Sequence, residues 1–391
     1  MEFRIAGGRV LVDGALQDTS LGVNGEGLTF SPAAGATELS ADGLLVLPGI
    51  VDIHGDAFER QMMPRPGVDF PVDLALAESD RQAIANGITT VFHAVTWSWE
   101  PGLRSADNAE RLLGGIEAMR PQLAADTRFH LRHETFNLAA EETLIRWMGE
   151  GRLDLIAFND HMDLTLINGS KPQKRQKMVE RSGLSGEAFD ALVAEVMAGA
   201  SEVPASIARL AAAARAHGVR MLSHDDATPG QRREFRAMGI AIAEFPINEE
   251  TAREAAQGGD FIVFGAPNVV RGGSHTGWTR ASDMIAKGLC SILSSDYYYP
   301  APLLAAFRLA GDGVLDLPEA WHLVSGAPAL AAGLSDRGEL REGARADVLL
   351  VDAGIALRPR IVGVVAGGRL VYLSDGTRLR PAAGSVRTIA A

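Results

Sequence analysis

The spacing of apolar residues changes several times along the chain, and each change marks an element. From residue 50 onward, short apolar runs alternate with stretches of helical periodicity. The runs at 50–53, 88–92, 128–133, 153–158, 219–223, 240–245, 261–264 and 291–295 read as buried strands. Between them, RQAIANG, ADNAERLLGGIEAMRPQL, GEAFDALVAEVMAGASEVPASIARLAAAARAHG and ASDMIAKGLC carry apolar positions on one helical face. Eight strands separated by helices over about 285 residues predict a parallel (β/α)8 barrel of the TIM type rather than an open sheet. Residues 2–46 and 338–373 have a different texture, of short alternating strands and tight turns. Neither segment can bury a core alone, so the two are expected to pair into one small discontinuous β-sandwich. The predicted division is therefore 1–49 with 335–391 for the sandwich and 50–334 for the barrel. The Gly-, Arg- and Ala-rich tail after Leu373 is expected to be loosely held.

Composition narrows the class without fixing it. The 391 residues are 47% hydrophobic and 22% charged, as in ordinary globular proteins. No apolar run has the length of a membrane span, and MEFRIAGGRVLVDG reads as a polar hairpin rather than a signal peptide. A lone cysteine, Cys290, excludes a disulfide framework and makes a reducing cytoplasm the expected compartment. The net charge of −12 argues against broad binding to nucleic acid or anionic membranes. It leaves room for an anionic substrate in a local basic pocket. Lysine occurs only at 171, 174, 177 and 287, and none of these ends a strand-like run.

The chemistry of a barrel sits at the carboxyl ends of its strands. There the chain reads His54-Gly55-Asp56, His133-Glu134, Asn159-Asp160-His161, Ser223-His224-Asp225-Asp226 and Ser294-Ser295-Asp296. Residues i and i+2 of an extended strand face the same way, so His54 and Asp56 can share one ion. Imidazole and carboxylate both suit a borderline divalent metal. A single HxD triplet arises by chance in a long chain. Five strand ends carrying histidine or acid are hard to reconcile with an inert core.

These residues bring in a family. The leading LPGIVDIH, the HxD, single histidines after later strands and a terminal Asp resemble the amidohydrolase superfamily. Within it, MPRPGVDFP (63–71), GITTV (87–91), HLRHE (130–134), SHDDAT (223–228), IAEFP (242–246), GAPNVVRGGSHTG (265–277) and SILSSDYYYPAPLL (291–304) look like the diphosphatases of phosphonate metabolism. The resemblance spans nearly the whole chain. It implies two divalent ions, zinc or alternatively manganese or iron(II). One would be held by His54, Asp56 and Asp296 and the other by His161 and His224, with Glu134 as bridge. Many members bridge with a carboxylated lysine, and no lysine here is placed to do so. The superfamily sets that bridge on the fourth strand, whereas Glu134 ends the third of the predicted runs. A missed strand before Thr127 or a different local arrangement would account for this. The implied reaction is attack of a metal-activated water on a triphosphate ester, with Asp296 as the catalytic proton acceptor and pyrophosphate as the product.

An anionic phosphorylated small molecule needs donors. Arg65, Arg271, the backbone of Gly272 and Gly273, and His275 are the candidates. Asp225 and Asp226 are expected to orient His224. His93 and His133 read as ordinary buried histidines or as pocket lining. His130, His217 and His322 read as structural, and Trp97 and Trp99 as a packed loop or a lid. Two active-face loops depart from the family pattern, TFNLA after Glu134 and MDLTLINGSKPQKRQ after His161. They leave open a relative acting on another phosphorylated, nucleotide-like or N-acyl compound, such as a deaminase or deacylase. A non-catalytic scaffold is the remaining rival, and the filled ligand positions weigh against it. A homodimer is expected by analogy alone.

Overall fold

A computed structural model describes the chain apart from Met1, Glu26, Ala34, Pro66, residues 163–171 and 274–278, Ala356 and residues 381–391. Eight parallel strands pair in sequence order: β1 (Ile50–Gly55), β2 (Ile88–Trp97), β3 (Asp126–Glu134), β4 (Leu155–Asn159), β5 (Arg220–His224), β6 (Ile242–Glu244), β7 (Phe261–Gly265) and β8 (Ile292–Ser294). Every run predicted as a barrel strand overlaps one of these. The circle closes between β8 and β1 in two ways. At the mouth Asp296 N donates to His54 O (2.9 Å) and Asp56 N to Asp296 O (2.9 Å). Lower down, Leu323 and Val324 wedge between the two strands, with Leu293 N bonded to Leu323 O (2.9 Å) and Val51 N to Val324 O (3.0 Å).

Alternation within these strands divides the core. Val51, Ile53, Phe92, Leu155, Ala157, Leu222, Ile242, Val263 and Ile292 form an apolar cluster together with Ala327, Ala329 and Ala331. Residues of the other parity, such as Phe129, Leu131, Ile156 and Met221, pack instead with the surrounding helices. The helix Ala106–Met119 shows why these form. The Ser105 side chain accepts from Asn108 N at its start, and Ala109, Leu112, Leu113 and Ile116 line one buried face. Burying a side chain such as Leu112 is worth about 2 kcal/mol.

The chain ends form two further sheets. One has the order Leu379–Arg380, Thr37–Ser40, Phe3–Ala6, Leu21–Asn24, Gly27–Thr29; the other Arg369–Leu373, Arg360–Ala366, Val348–Asp352, Leu45–Pro48, Arg9–Val12, Ala15–Asp18. Both mix strands from the two ends, as expected of a discontinuous sandwich. Beyond Leu373, Leu379 and Arg380 pair with Leu39 and Glu38, so this part of the tail is tied down. Residues 381–391 lie outside the described residues. No single helix among the described residues is long and apolar enough to cross a membrane.

Candidate active site

Three strands end abruptly in a left-handed residue at the mouth of the barrel. Asp225 (φ 59°), Phe245 (φ 54°) and Asp296 (φ 53°) follow β5, β6 and β8. Non-glycine residues adopt this conformation at a cost, and such strain gathers where the surroundings fix it. Here each backbone N–H is bonded to a neighbouring strand: Asp225 N to Glu244 O (2.8 Å), Phe245 N to Val263 O (3.0 Å) and Asp296 N to His54 O (2.9 Å). The kink after Glu244 also explains why β6 stops earlier than the run at 240–245 suggests. Gly55 is required between His54 and Asp56, because a Cβ there would come within 2.7 Å of Asp52 Oδ2. That carboxylate ties β1 to β8 by accepting from Ser295 Oγ (2.5 Å) and, through Oδ1, from Ser295 N (2.9 Å).

A cavity of about 220 Å³ opens among these strand ends, lined by residues that include His54, Asp56, Arg132, His224, Asp225, Phe245, Asp296 and Tyr297. His54, Asp56 and Asp296 each place a ligand atom within 4.8 Å of the others, and so do His161, His224 and Asp225. Imidazole and carboxylate donors at this separation fit a divalent ion, and two neighbouring groups fit two. The rings of His54 and His224 lie 5.9 Å apart, and those of His161 and His224 5.8 Å. Three strand ends, those of β1, β5 and β8, and the segment after β4 thus bring these side chains to one mouth.

One carboxylate orders two of these rings. Glu244, fully buried, reaches His54 Nδ1 with Oε1 (2.6 Å) and His224 Nδ1 with Oε2 (2.7 Å). Burial alone would raise its pKa, but the two histidines hold it well below the usual range, so it is ionised. An ionised carboxylate only accepts, so both Nδ1 atoms carry the proton and both Nε2 atoms are left to face a ligand. Burial disfavours charge on His54, yet Glu244 offsets this and its pKa is raised; at His224 burial dominates and the pKa is lowered. Phe245 packs edge-on against both rings, at 5.1 and 5.2 Å.

Glu134 ends β3, in register with Asn159 of β4, and no strand intervenes before it. The third-strand position is therefore real. Its carboxylate is engaged by His161, which donates from Nδ1 (2.6 Å) and from its backbone N (3.2 Å). Burial would raise the Glu134 pKa, but His161 pulls it down to about 2. The carboxylate spanning two donor histidines is Glu244, not Glu134. At Asp296, burial and then the charge of Asp56 push the pKa up to about 6.

Several expected partners stand elsewhere. Asp226 does not orient His224: it accepts from Ser223 Oγ (2.7 Å) and Arg232 Nη1 (2.9 Å) in a buried ion pair. Asp225 Oδ1 lies 3.7 Å from His224 Nε2, on the ligand side of the ring. Arg65 is exposed and lines a separate groove with Arg111 and Lys177. Gly272 and Gly273 spend their N–H groups on Val269 O (3.1 Å) and Asn268 O (3.0 Å), closing the helix Ala266–Arg271, with Gly272 at φ 76°. A helix end claims the donors that a phosphate would need. Arg271 reaches the rim through Tyr297 Oη (3.4 Å), and His275 lies outside the described residues. Trp97 and Trp99 pack on Trp147 and Phe189. His93 and His133 are buried and held neutral, with pKa values lowered to about 4.

Comparison with known proteins agrees with this geometry. Residues 72–372 match the model of an amidohydrolase family. The chain belongs to the amidohydrolase family. It is 35% identical over 319 residues to the α-D-ribose 1-methylphosphonate 5-triphosphate diphosphatase of Escherichia coli K12, covering 80% of this chain and 84% of that protein. Like its relatives it is a hydrolase. Similar amidohydrolase-type folds occur in dihydropyrimidinase from Brevibacillus agri (TM-score 0.64, 13% identity, 95% of each chain). An enamidase is similar as well (TM-score 0.62, 15% identity, 98% of each chain). At these identities they speak for the fold alone. Sequence reasoning missed Glu244 and Arg132 in this amidohydrolase mouth. Both lie on the inward parity of their strands, Glu244 two residues after Ile242 and Arg132 two before Glu134, and that parity was the available signal.

Proposed function

We propose that this chain is a divalent-metal-dependent diphosphatase that cleaves α-D-ribose 1-methylphosphonate 5-triphosphate to the 5-phosphate and pyrophosphate. The reading is carried by one observation: two groups of metal-type donors share the barrel mouth of a chain that is 35% identical to an enzyme of that name. His54, Asp56 and Asp296 would hold one ion, and His161, His224 and Asp225 the other. Bound ions would acidify a water and neutralise charge on the attacked phosphoryl oxygen. Glu244 keeps the Nε2 atoms of His54 and His224 available, and Glu134 holds His161. Asp296 accepts the proton of the attacking water. The water oxygen bonds to the α-phosphorus, the bridging P–O bond to the β-phosphorus breaks, and pyrophosphate leaves with that electron pair. The proton on Asp296 then passes to the leaving group.

Phosphorus NMR of the products tests this. Metal-replete enzyme given the ribose 5-triphosphate phosphonate should release pyrophosphate. Orthophosphate alone, or no turnover, would overturn it. The position of Arg65 outside the cavity favours the rival of a less anionic substrate, so the same screen should include nucleoside triphosphates and N-acyl compounds.

A further inference from the structure

β3 sends three polar side chains toward the barrel axis in succession, His130, Arg132 and Glu134. The middle one is a permanent cation, only 6% exposed, on the lining of the cavity. Its contacts are too few for a structural arginine. Nη2 lies 3.3 Å from His224 Nε2, Nη1 is 3.7 Å from Asp56 Oδ2, and Nε has no hydrogen-bond partner among the described residues. A guanidinium has five N–H donors, so most of this one's capacity is unspent. Arg232, buried in the same barrel, is tied to Ser223, Asp226 and Ile240 O, which shows what a structural arginine looks like here. Leaving a buried charge so poorly bonded is costly unless something else completes its shell.

Asp56, Glu244, Glu59 and Glu134 offset its charge from the protein side, but they leave N–H groups unbonded. Those groups suit an anionic oxygen rather than a metal, which a neighbouring cation repels. His224 Nδ1 is committed to Glu244, so Nε2 offers Arg132 its lone pair. Any ion that takes that lone pair strips Nη2 of its acceptor. The guanidinium is then left beside the donor groups, on the lining of a cavity whose acidic side chains are Asp56, Asp225 and Asp296.

We propose that Arg132 is a catalytic residue whose guanidinium donates hydrogen bonds to a non-bridging oxygen of the phosphoryl group under attack. This rests on the diphosphatase reading of the site. Phosphoryl transfer spreads charge over the equatorial oxygens, and a fixed donor in a water-poor pocket stabilises that charge without reorganising. Arg132 neither gains nor loses a proton in the step.

The test uses metal-loaded Arg132→Ala and Arg132→Lys with the triphosphate ester. It reads kcat, KM, bound metal and the response of kcat to millimolar guanidinium. For Arg132→Ala, kcat should fall about 10²- to 10³-fold at unchanged metal content, and added guanidinium should recover roughly tenfold of it. Arg132→Lys keeps charge but not the fork, and should retain metal and Tm while losing roughly tenfold in kcat. If Arg132 only holds Asp56 and His224 in place, metal and kcat will fall together and guanidinium will do nothing, which overturns the proposal. Wild-type kcat in either variant does so as well. Should the alanine variant not fold, the lysine variant decides by kcat against metal content. If the wild-type enzyme releases pyrophosphate from no triphosphate ester, the diphosphatase reading fails first, and this role falls with it.

Discussion

Glu244 holds two imidazoles on one carboxylate, one from each side of the mouth, and this makes it the single residue on which the donor set most depends. Replacing it with glutamine keeps the shape but leaves one oxygen for two Nδ1–H donors. One ring then faces an amide N–H and must turn or change tautomer. Glu244→Gln should weaken metal binding about 10- to 100-fold with the circular dichroism spectrum unchanged. Competition against a chromogenic chelator measures this, and an unaltered affinity would remove Glu244 from the site. The place of the candidate ligands at 54, 56, 161, 224 and 296 around one mouth was legible because each follows a strand-like run, where chemistry collects in such barrels. Glu244 and Arg132 were not, because they lie inside apolar runs. Only strict counting of parity separates an inward acid or arginine from a strand-end residue.

At the scale of elements, β2 and β3 bury histidines on the parity that faces the helices. His93 packs against Phe58 and His133 against Phe158. Burial lowers both pKa values from the usual 6.5 to about 4. The unfolded chain takes up these protons below pH 6.5 and the folded protein does not, so stability falls as pH drops from 6.5 toward 4. Each site contributes roughly 3 kcal/mol to that loss. Urea midpoints at pH 7, 5.5 and 4.5 measure it, and His133→Phe should flatten the slope. A variant as acid-sensitive as wild type would place the loss elsewhere. Gly272 closes the helix Ala266–Arg271 in the left-handed region, and no atom of the described residues stands where an alanine methyl would, so Gly272→Ala costs backbone strain of about 1 kcal/mol. A thermal melt would show this as a shift of a few degrees. The order of the eight strands could be read from periodicity, since each run is apolar and bounded by turns. The role of the RGG turn could not, because a glycine cap that satisfies its own helix and a glycine loop that binds phosphate have the same composition.

The two chain ends and the barrel share one apolar cluster, beside the clusters that each has of its own. Leu11, Leu47, Leu349, Val351 and Ile361 from the terminal sheets pack in the same cluster as Ile84, Ile88, Leu309 and Trp321 from the barrel and its helices. Polar contacts reinforce this. Trp321 Nε1 donates to Pro48 O (3.1 Å), and Arg337 Nη1 reaches Asp126 Oδ2 (2.6 Å) and Thr90 Oγ1 (2.9 Å) at the base of β3 and β2. Cutting the sandwich away would strip apolar surface from the outer layer of the barrel, so neither part has a complete core without the other. Unfolding should therefore be a single transition, with tryptophan fluorescence and far-ultraviolet circular dichroism coinciding along a urea titration. Arg337→Ala removes a buried cation but leaves Asp126 its second partner, Arg128. The loss should fall toward the low end of the roughly 3–5 kcal/mol expected when a buried pair is broken. It should lower the midpoint without splitting the transition or changing its slope. Two separated transitions in that variant would mean that the sheets and the barrel fold independently, with Arg337 as their main tie; one displaced transition means that the shared apolar layer couples them.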